Sequence, residues 1–215
     1  MKDQIKLFFK NAFASLIYKH KPIGLSAGKL YLYLDALKKT NKLTAAVIEI
    51  GCNVCGTTAL GKEMLRKLKS QREYYAVDTF SGFVQEQFDF DRQFNTRVGK
   101  EKAFSANSVN LARKVLRLHK AADTKLIQAD IVQLDKEKLP EKISMALLDV
   151  DLYQPILSAL DKIYPRLEKG GIILVDDCGR SDQENSWKAG MAYTEFCEKN
   201  DIPTKIEFGM GVIMK

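Results

Sequence analysis

Ala45-Ala46-Val47-Ile48-Glu49-Ile50-Gly51 is the stretch on which the reading of this chain turns. A short apolar run closed by glycine reads as a buried strand followed by a tight turn. A helix is expected next: Leu60, Met64 and Leu68 recur every fourth residue, Thr57 or Thr58 lies near its start, and Lys62, Arg66 and Lys69 face out. Tyr74-Tyr75-Ala76-Val77 then forms a second strand ending at Asp78. Strands follow at Lys125–Gln128, ending near Asp130, at Ser144–Leu148, ending at Asp149, and at Ile172–Val175, ending at Asp176-Asp177.

Between them, Pro155 suits the first turn of a helix whose Ile156, Leu160, Ile163 and Leu167 share a face, and Gly170-Gly171 would stop it. Helices over 106–118 and 187–198 fill the other intervals, and 205–214 reads as a closing hairpin. Strands alternating with helices give an α/β fold with an open, mostly parallel sheet of seven strands and right-handed crossovers. Ligands gather beyond the carboxyl ends of such strands. Gly51, Asp78, Asp130, Asp149 and Asp176-Asp177 all fall at that edge.

Two segments stand outside the rhythm. Residues 1–44 read as an N-terminal helical extension to the domain at 45–215. The first 20 are amphipathic, with Ile5, Phe9, Phe13, Leu16 and Ile17 at helical spacing and Lys2, Lys6, Lys10 and Lys19 between them. That pattern favours a helix packed over the core or at a subunit interface ahead of one lying on a membrane surface. In 82–104, Phe83, Phe88, Phe90 and Phe94 alternate with polar residues without a helix or strand period, as expected of a lid or insertion.

At 215 residues with 46% hydrophobic and 28% charged residues, the chain has the composition of an ordinary globular protein with one sizeable core. Its net charge of +7 comes from scattered lysines without a basic run, so nucleic-acid binding is permitted but not indicated. Four cysteines in apolar surroundings and the lack of a secretory cleavage site point to a reducing, cytoplasmic setting. No apolar stretch approaches the roughly 18 residues that span a bilayer.

The edge residues carry the chemistry. A glycine turn after the first strand lets a ligand approach the backbone closely. An acidic residue ending the second strand, Asp78, can accept hydrogen bonds from ribose hydroxyls, or else cap a turn with Thr79, Ser81 and Gly82. Gly56-Thr57-Thr58-Ala59-Leu60-Gly61-Lys62 approximates a phosphate-binding loop, but Glu63 stands where the metal-binding hydroxyl belongs. Asn53 replaces the second glycine of the NAD fingerprint, and Cys52-Asn53-Val54-Cys55 lacks the partners of a zinc site, which leaves small thiols packing the turn. His20 and His119 read as solvated or helix-end histidines. Asp149, Asp176 and Asp177 end adjacent strands, and three carboxylates at one edge repel one another unless a cation neutralises them. Hard oxygen donors suit Mg²⁺, Mn²⁺ or Ca²⁺ better than zinc.

Glu49-Ile50-Gly51, Val77-Asp78-Thr79-Phe80-Ser81-Gly82-Phe83, Leu148-Asp149-Val150-Asp151-Leu152-Tyr153, Tyr164-Pro165-Arg166-Leu167 through Gly170-Gly171, and Val175-Asp176-Asp177 resemble, in order, the macrocin O-methyltransferase family. The resemblance spans roughly residues 45–200. It implies a Rossmann-like class I methyltransferase fold and S-adenosylmethionine-dependent O-methylation of sugar and related natural-product hydroxyls. It further implies that Glu49, Gly51, Asp78, Thr79, Asp130 and Ile131 bind the cofactor, that Asp149, Asp176 and Asp177 hold Mg²⁺ (or Mn²⁺), and that Asp149 is the base. Cys178 stands where the family usually has tyrosine, and Gln154-Pro155 replaces its usual pair after D-L-Y, changes that bear on the acceptor. The expected partner is a small-molecule hydroxyl acceptor, with room for a homo-oligomer. A catechol-type O-methyltransferase and a non-catalytic nucleotide- or RNA-binding module of the same fold are the alternatives.

Overall fold

The structure is a computed structural model that describes residues 2–94, 99–179 and 186–215. Its elements run α1 (Lys2–Ala12), α2 (Ala14–Ile17), α3 (Ala27–Lys39), β1 (Ala46–Ile50), α4 (Gly56–Lys67), β2 (Tyr74–Asp78), α5 (Gln85–Arg92), α6 (Val109–Leu118), β3 (Lys125–Gln128), β4 (Ile143–Leu148), α7 (Tyr153–Ile163), β5 (Leu167–Val175), α8 (Ala189–Lys199), β6 (Ile206–Glu207) and β7 (Met210–Met214). The strands form one sheet in the order β3-β2-β1-β4-β5-β7-β6. β1 to β5 pair in parallel; β7 runs antiparallel to β5, and β6 antiparallel to β7.

Alternation along the buried strands sorts side chains onto two faces. Ile48, Ile50, Ala146, Leu148, Ile173 and Val175 meet Ile156, Leu160 and Ile163 of α7 and Tyr193 and Phe196 of α8. Val47, Met145, Leu147 and Leu174 meet Leu32, Tyr33 and Leu37 of α3 and Leu65 of α4. Each such aliphatic side chain contributes about 1.5–3 kcal/mol when fully buried. The last helix of the expected extension thus forms half of one core layer.

The strand order reverses between β1 and β4, which opens a crevice at their carboxyl ends. Hydrogen bonds from Gly51 N to Val77 O, Asp149 N to Ile50 O and Asp176 N to Leu148 O, each 2.8 Å, carry the ladders past the strand ends. Gly51 has φ +90°, and a Cβ there would lie 2.0 Å from the Asp149 carbonyl oxygen.

Four sequence expectations are corrected. The helix after Pro155 does not run to Gly170: it ends at Ile163, a short 3₁₀ turn over Tyr164–Arg166 follows, and β5 already begins at Leu167, so Gly170-Gly171 lie within a strand. Pro165 explains the early stop, because it lacks the amide proton a helix interior requires. Residues 82–104 are not free of regular structure, since α5 occupies Gln85–Arg92 with Phe88 fully buried; 95–98 lie outside the described residues. The helix expected from 106 starts at Val109, because the Ser108 side chain caps it by accepting from Leu111 N. The amphipathic start is not packed over the core by its apolar face: Leu7, Ala14 and Tyr18 seat it on Leu111 and Val115 of α6, while Ile5, Phe9, Phe13, Leu16 and Ile17 point outward. None of the described helices is long and apolar enough to cross a membrane.

Gly51→Ala tests the crevice geometry. Left-handed strain together with the overlap on Asp149 should cost about 2–4 kcal/mol, read as a lower midpoint in urea unfolding with an unchanged slope.

Candidate active site

The crevice holds a cavity of about 300 Å³, the size of a small-molecule site. Its wall includes every residue expected at the strand ends: Glu49, Gly51, Asp78, Thr79, Asp130, Ile131, Asp149, Asp176 and Asp177.

Beside β1, Asp78 Oδ2 accepts from Asn53 N at 2.7 Å and Oδ1 from Phe80 N at 2.6 Å. Burial raises the Asp78 pKa, and these backbone bonds work against the rise. Asp78 therefore holds its turn and also faces the cavity. Thr79 Oγ1 donates to Gly82 O at 2.7 Å, which closes the turn after β2. Asp130 Oδ1 accepts from Val132 N at 2.9 Å, and its Oδ2 accepts from Gln87 of α5 at 2.7 Å.

Glu49 behaves differently. Its Oε2 accepts from Thr58 Oγ1 at 2.7 Å and from Tyr74 Oη at 2.8 Å, and Tyr74 in turn shares a 2.7 Å hydrogen bond with Tyr33. That network ties β1 to α4, β2 and α3. Burial lifts the Glu49 pKa from 4.5 to about 7 against those two hydrogen bonds, with the charge of Asp78 adding to the rise.

Beyond β4 and β5 the cavity wall is acidic. Lys29 of α3 lies 2.5 Å from Asp176 Oδ1 and 2.8 Å from Asp177 Oδ1. Burial works to lower the Lys29 pKa, but its hydrogen bonds to the two carboxylates raise it overall. Asp176 is nonetheless raised, because burial and the charge of Asp177 outweigh Lys29. Asp149 is raised well above an ordinary aspartate by burial first, then by Asp176 and Asp177. Asp151, at φ +63°, is raised in the same way by burial and then by Asp149 and Asp177.

Asp149, Asp176 and Asp177 are thus brought to one cavity. Among the described residues, however, no three His, Cys, Asp or Glu side chains close on one point as a metal site. As donors they fit a hard divalent cation: they are carboxylate oxygens on the wall of one cavity, and two of them already share an ammonium.

Lys29, Asp151 and Gln87 were missing from the sequence reading of the site. Asp151 carried a usable signal, its place two residues after Asp149 at a strand end. Lys29 and Gln87 carried none, because helices distant in sequence deliver them. The decoys resolve as expected: Lys62 pairs with Asp123 at 2.7 Å, Cys52 and Cys55 are free, buried thiols, and His119 ends α6 beside Tyr18 O.

Sheet order, glycine crevice and acidic strand ends together define a class I methyltransferase. The chain belongs to the macrocin O-methyltransferase family, whose model matches residues 34–208. It is accordingly an S-adenosylmethionine-dependent O-methyltransferase. In fold it is similar to the O-methyltransferase NovP, with 19% identity and a TM-score of 0.75 over 86% of this chain and 78% of that one. It is also similar to the calicheamicin methyltransferase CalS11, with 18% identity and a TM-score of 0.69 over 99% and 92%. The SAH-bound Podospora anserina methyltransferase PaMTH1 aligns at 14% identity and a TM-score of 0.55 over 99% and 86%. No curated protein matches in sequence.

The network around Glu49 predicts a pH dependence. The folded state holds a proton on Glu49 that the unfolded chain releases above pH 4.5, so stability should fall as pH rises from about 4.5 through about 7 and level off above. The drop is on the order of 3 kcal/mol. Urea unfolding across this range should show it, and Glu49→Gln should flatten it.

Proposed function

We propose that the enzyme methylates a hydroxyl of a sugar or sugar-containing natural product with the assistance of Mg²⁺ or Mn²⁺ held by Asp149, Asp176 and Asp177. The observation that carries this reading is the acidic wall of the cavity, in which Asp176 and Asp177 share the Lys29 ammonium and Asp149 is raised by burial and then by their charge.

The cofactor side is assigned to the strand ends of β1 and β2 and to the residues after β3. The Gly51 backbone admits the methionine part at close range. Each Asp78 oxygen keeps a lone pair after accepting from the turn, enough to take two ribose hydroxyls. Thr79 fixes the loop around them, while Asp130 and Ile131 border the adenine. Glu49 serves through the turn it precedes, since its Oε2 is committed to Thr58 and Tyr74.

S-adenosylmethionine supplies an already electrophilic methyl, so the chain's task is to align the acceptor oxygen and remove its proton. A divalent cation, when bound, lowers the pKa of the acceptor hydroxyl. Asp149 receives the proton. Asp151 is the second candidate for that role, because it is equally buried and not among the assigned ligands, and a ligated carboxylate is a weaker base. Residues 82–94 and 99–104 of the expected lid cover the ligands and exclude water.

Two experiments test the reading. Asp78→Ala should weaken binding of S-adenosylhomocysteine about ten- to a hundredfold, as expected for the loss of a charge-assisted hydrogen bond to a hydroxyl pair, and titration calorimetry measures it. Turnover on deoxysugar and catechol acceptors across a Mg²⁺ titration tests the rest. Asp149→Asn should lose about 10²–10⁴ in rate at all Mg²⁺ concentrations, whereas excess Mg²⁺ should partly restore Asp176→Asn. Full activity after chelator treatment would remove the metal from the mechanism. Loss confined to Asp151→Asn would move the base there.

A further inference from the structure

Helix α1 and the turn of α2 after it sit on the domain with their apolar side outward. Leu7, Ala14 and Tyr18 contact α6, Lys10 Nζ donates to Ala106 O at 2.7 Å, and Lys114 Nζ donates to Asn11 O at 3.0 Å. On the opposite side Ile5, Phe8, Phe9, Phe13, Leu16 and Ile17 are each at least half exposed, Phe8 at 68% and Leu16 at 73%. Side chains of this size leave roughly 600 Å² of apolar surface in one stripe, the upper end of the largest patch on an ordinary monomer. Phe8 packs edge-on against Phe9, and Phe9 stacks on Phe13, so the stripe is continuous.

Charge decides what covers it. Lys2, Lys6 and Lys19 are exposed, and Lys2 and Lys6 border the stripe at helical spacing. Across residues 2–21 the single acidic residue is Asp3, against five lysines. A second copy packed stripe to stripe would set these lysines against one another with almost no counter-charge. An anionic bilayer surface meets both demands: aromatic and aliphatic side chains enter the acyl boundary, and the flanking lysines reach phosphate oxygens.

We infer that α1 and α2 dock the enzyme onto anionic lipid bilayers, lying in the plane of the interface. The Lys10–Ala106 hydrogen bond fastens this surface to the chain two residues after Phe104, which lines the cavity. This inference does not rest on the metal or the acceptor assigned above.

Flotation of the full chain with vesicles tests it. The parent protein should float with phosphatidylcholine vesicles containing phosphatidylglycerol, remain behind with phosphatidylcholine alone, and detach as salt is raised. Lys2→Gln/Lys6→Gln/Lys19→Gln should weaken binding about 10²-fold, each lysine at such a surface contributing about fivefold. Phe8→Glu/Leu16→Glu should abolish it while keeping the parent's unfolding midpoint, since both side chains are exposed. No flotation of the parent, or flotation unchanged in both variants, overturns the proposal. So does a parent dimer in sedimentation that Phe8→Glu/Leu16→Glu turns into a monomer, because a second copy would then own the stripe.

Discussion

Carboxylates crowded at one edge of a sheet are the constraint around which this molecule is arranged. Asp149, Asp151, Asp176 and Asp177 all border one cavity, and each of the first three is raised by burial and by the charge of its neighbours. Such a group stays together only if the backbone leaves it no choice. Here the ladders extend past the strand ends through Asp149 N to Ile50 O and Asp176 N to Leu148 O, and the missing side chain at Gly51 lets the β1 turn close on Asp149. Hydrophobic layers on both faces of the sheet offset the repulsion by holding β1, β4 and β5 in register. The strain is therefore stored where the chemistry is, as expected when a fold is stabilised elsewhere.

The sheet was legible because its strands are buried on both faces and read as short apolar runs. Β-branched and aliphatic residues in 46–50 and 143–148 leave no competing helix period, and each run closes on glycine or aspartate. Boundaries failed where a second signal overrode the first. Gly170-Gly171 looks like a helix stop, yet Pro165 had already ended the helix and the glycines sit in a strand. The helix at Gln85–Arg92 was hidden because it buries only Gln87, Phe88 and Asp91, too few for an apolar period. The N-terminal helix was recognised as amphipathic, but a period gives the existence of an apolar face and not its direction.

For the site, what came from strand ends was visible and what came from elsewhere was not. Asp78, Asp130, Asp149 and Asp176-Asp177 lie at the same edge for a topological reason that sequence alone supplies. Lys29 reaches Asp177 across 148 residues of sequence, and Gln87 reaches Asp130 across 43. No local pattern encodes such meetings, because they depend on how α3 and α5 pack against the finished sheet. Glu49 illustrates the converse. Its place on the cavity wall was legible, while the hydrogen bonds of its Oε2 to Thr58 and Tyr74, which join β1 to α4, β2 and through Tyr33 to α3, were not.

The two sides of the cavity accordingly differ in how firmly they are built. The side of the cavity formed by β1 and β2 is made of strand ends and tight turns, whose hydrogen bonds are part of the sheet. Over it, α5 is latched by two polar contacts, Gln87 to Asp130 and Tyr153 N to Asp91, together with the ring contacts of Phe83 on Phe88 and Trp187. A hydrogen bond to a carboxylate is worth about 1.5–3 kcal/mol and an aromatic pair about 0.5–1.5 kcal/mol beyond its burial. Releasing α5 therefore costs less than disturbing the sheet beneath it, whose loss would expose the whole core. The order of stabilities, rigid strand ends under a separately latched helix, follows from where each residue's hydrogen bonds are made.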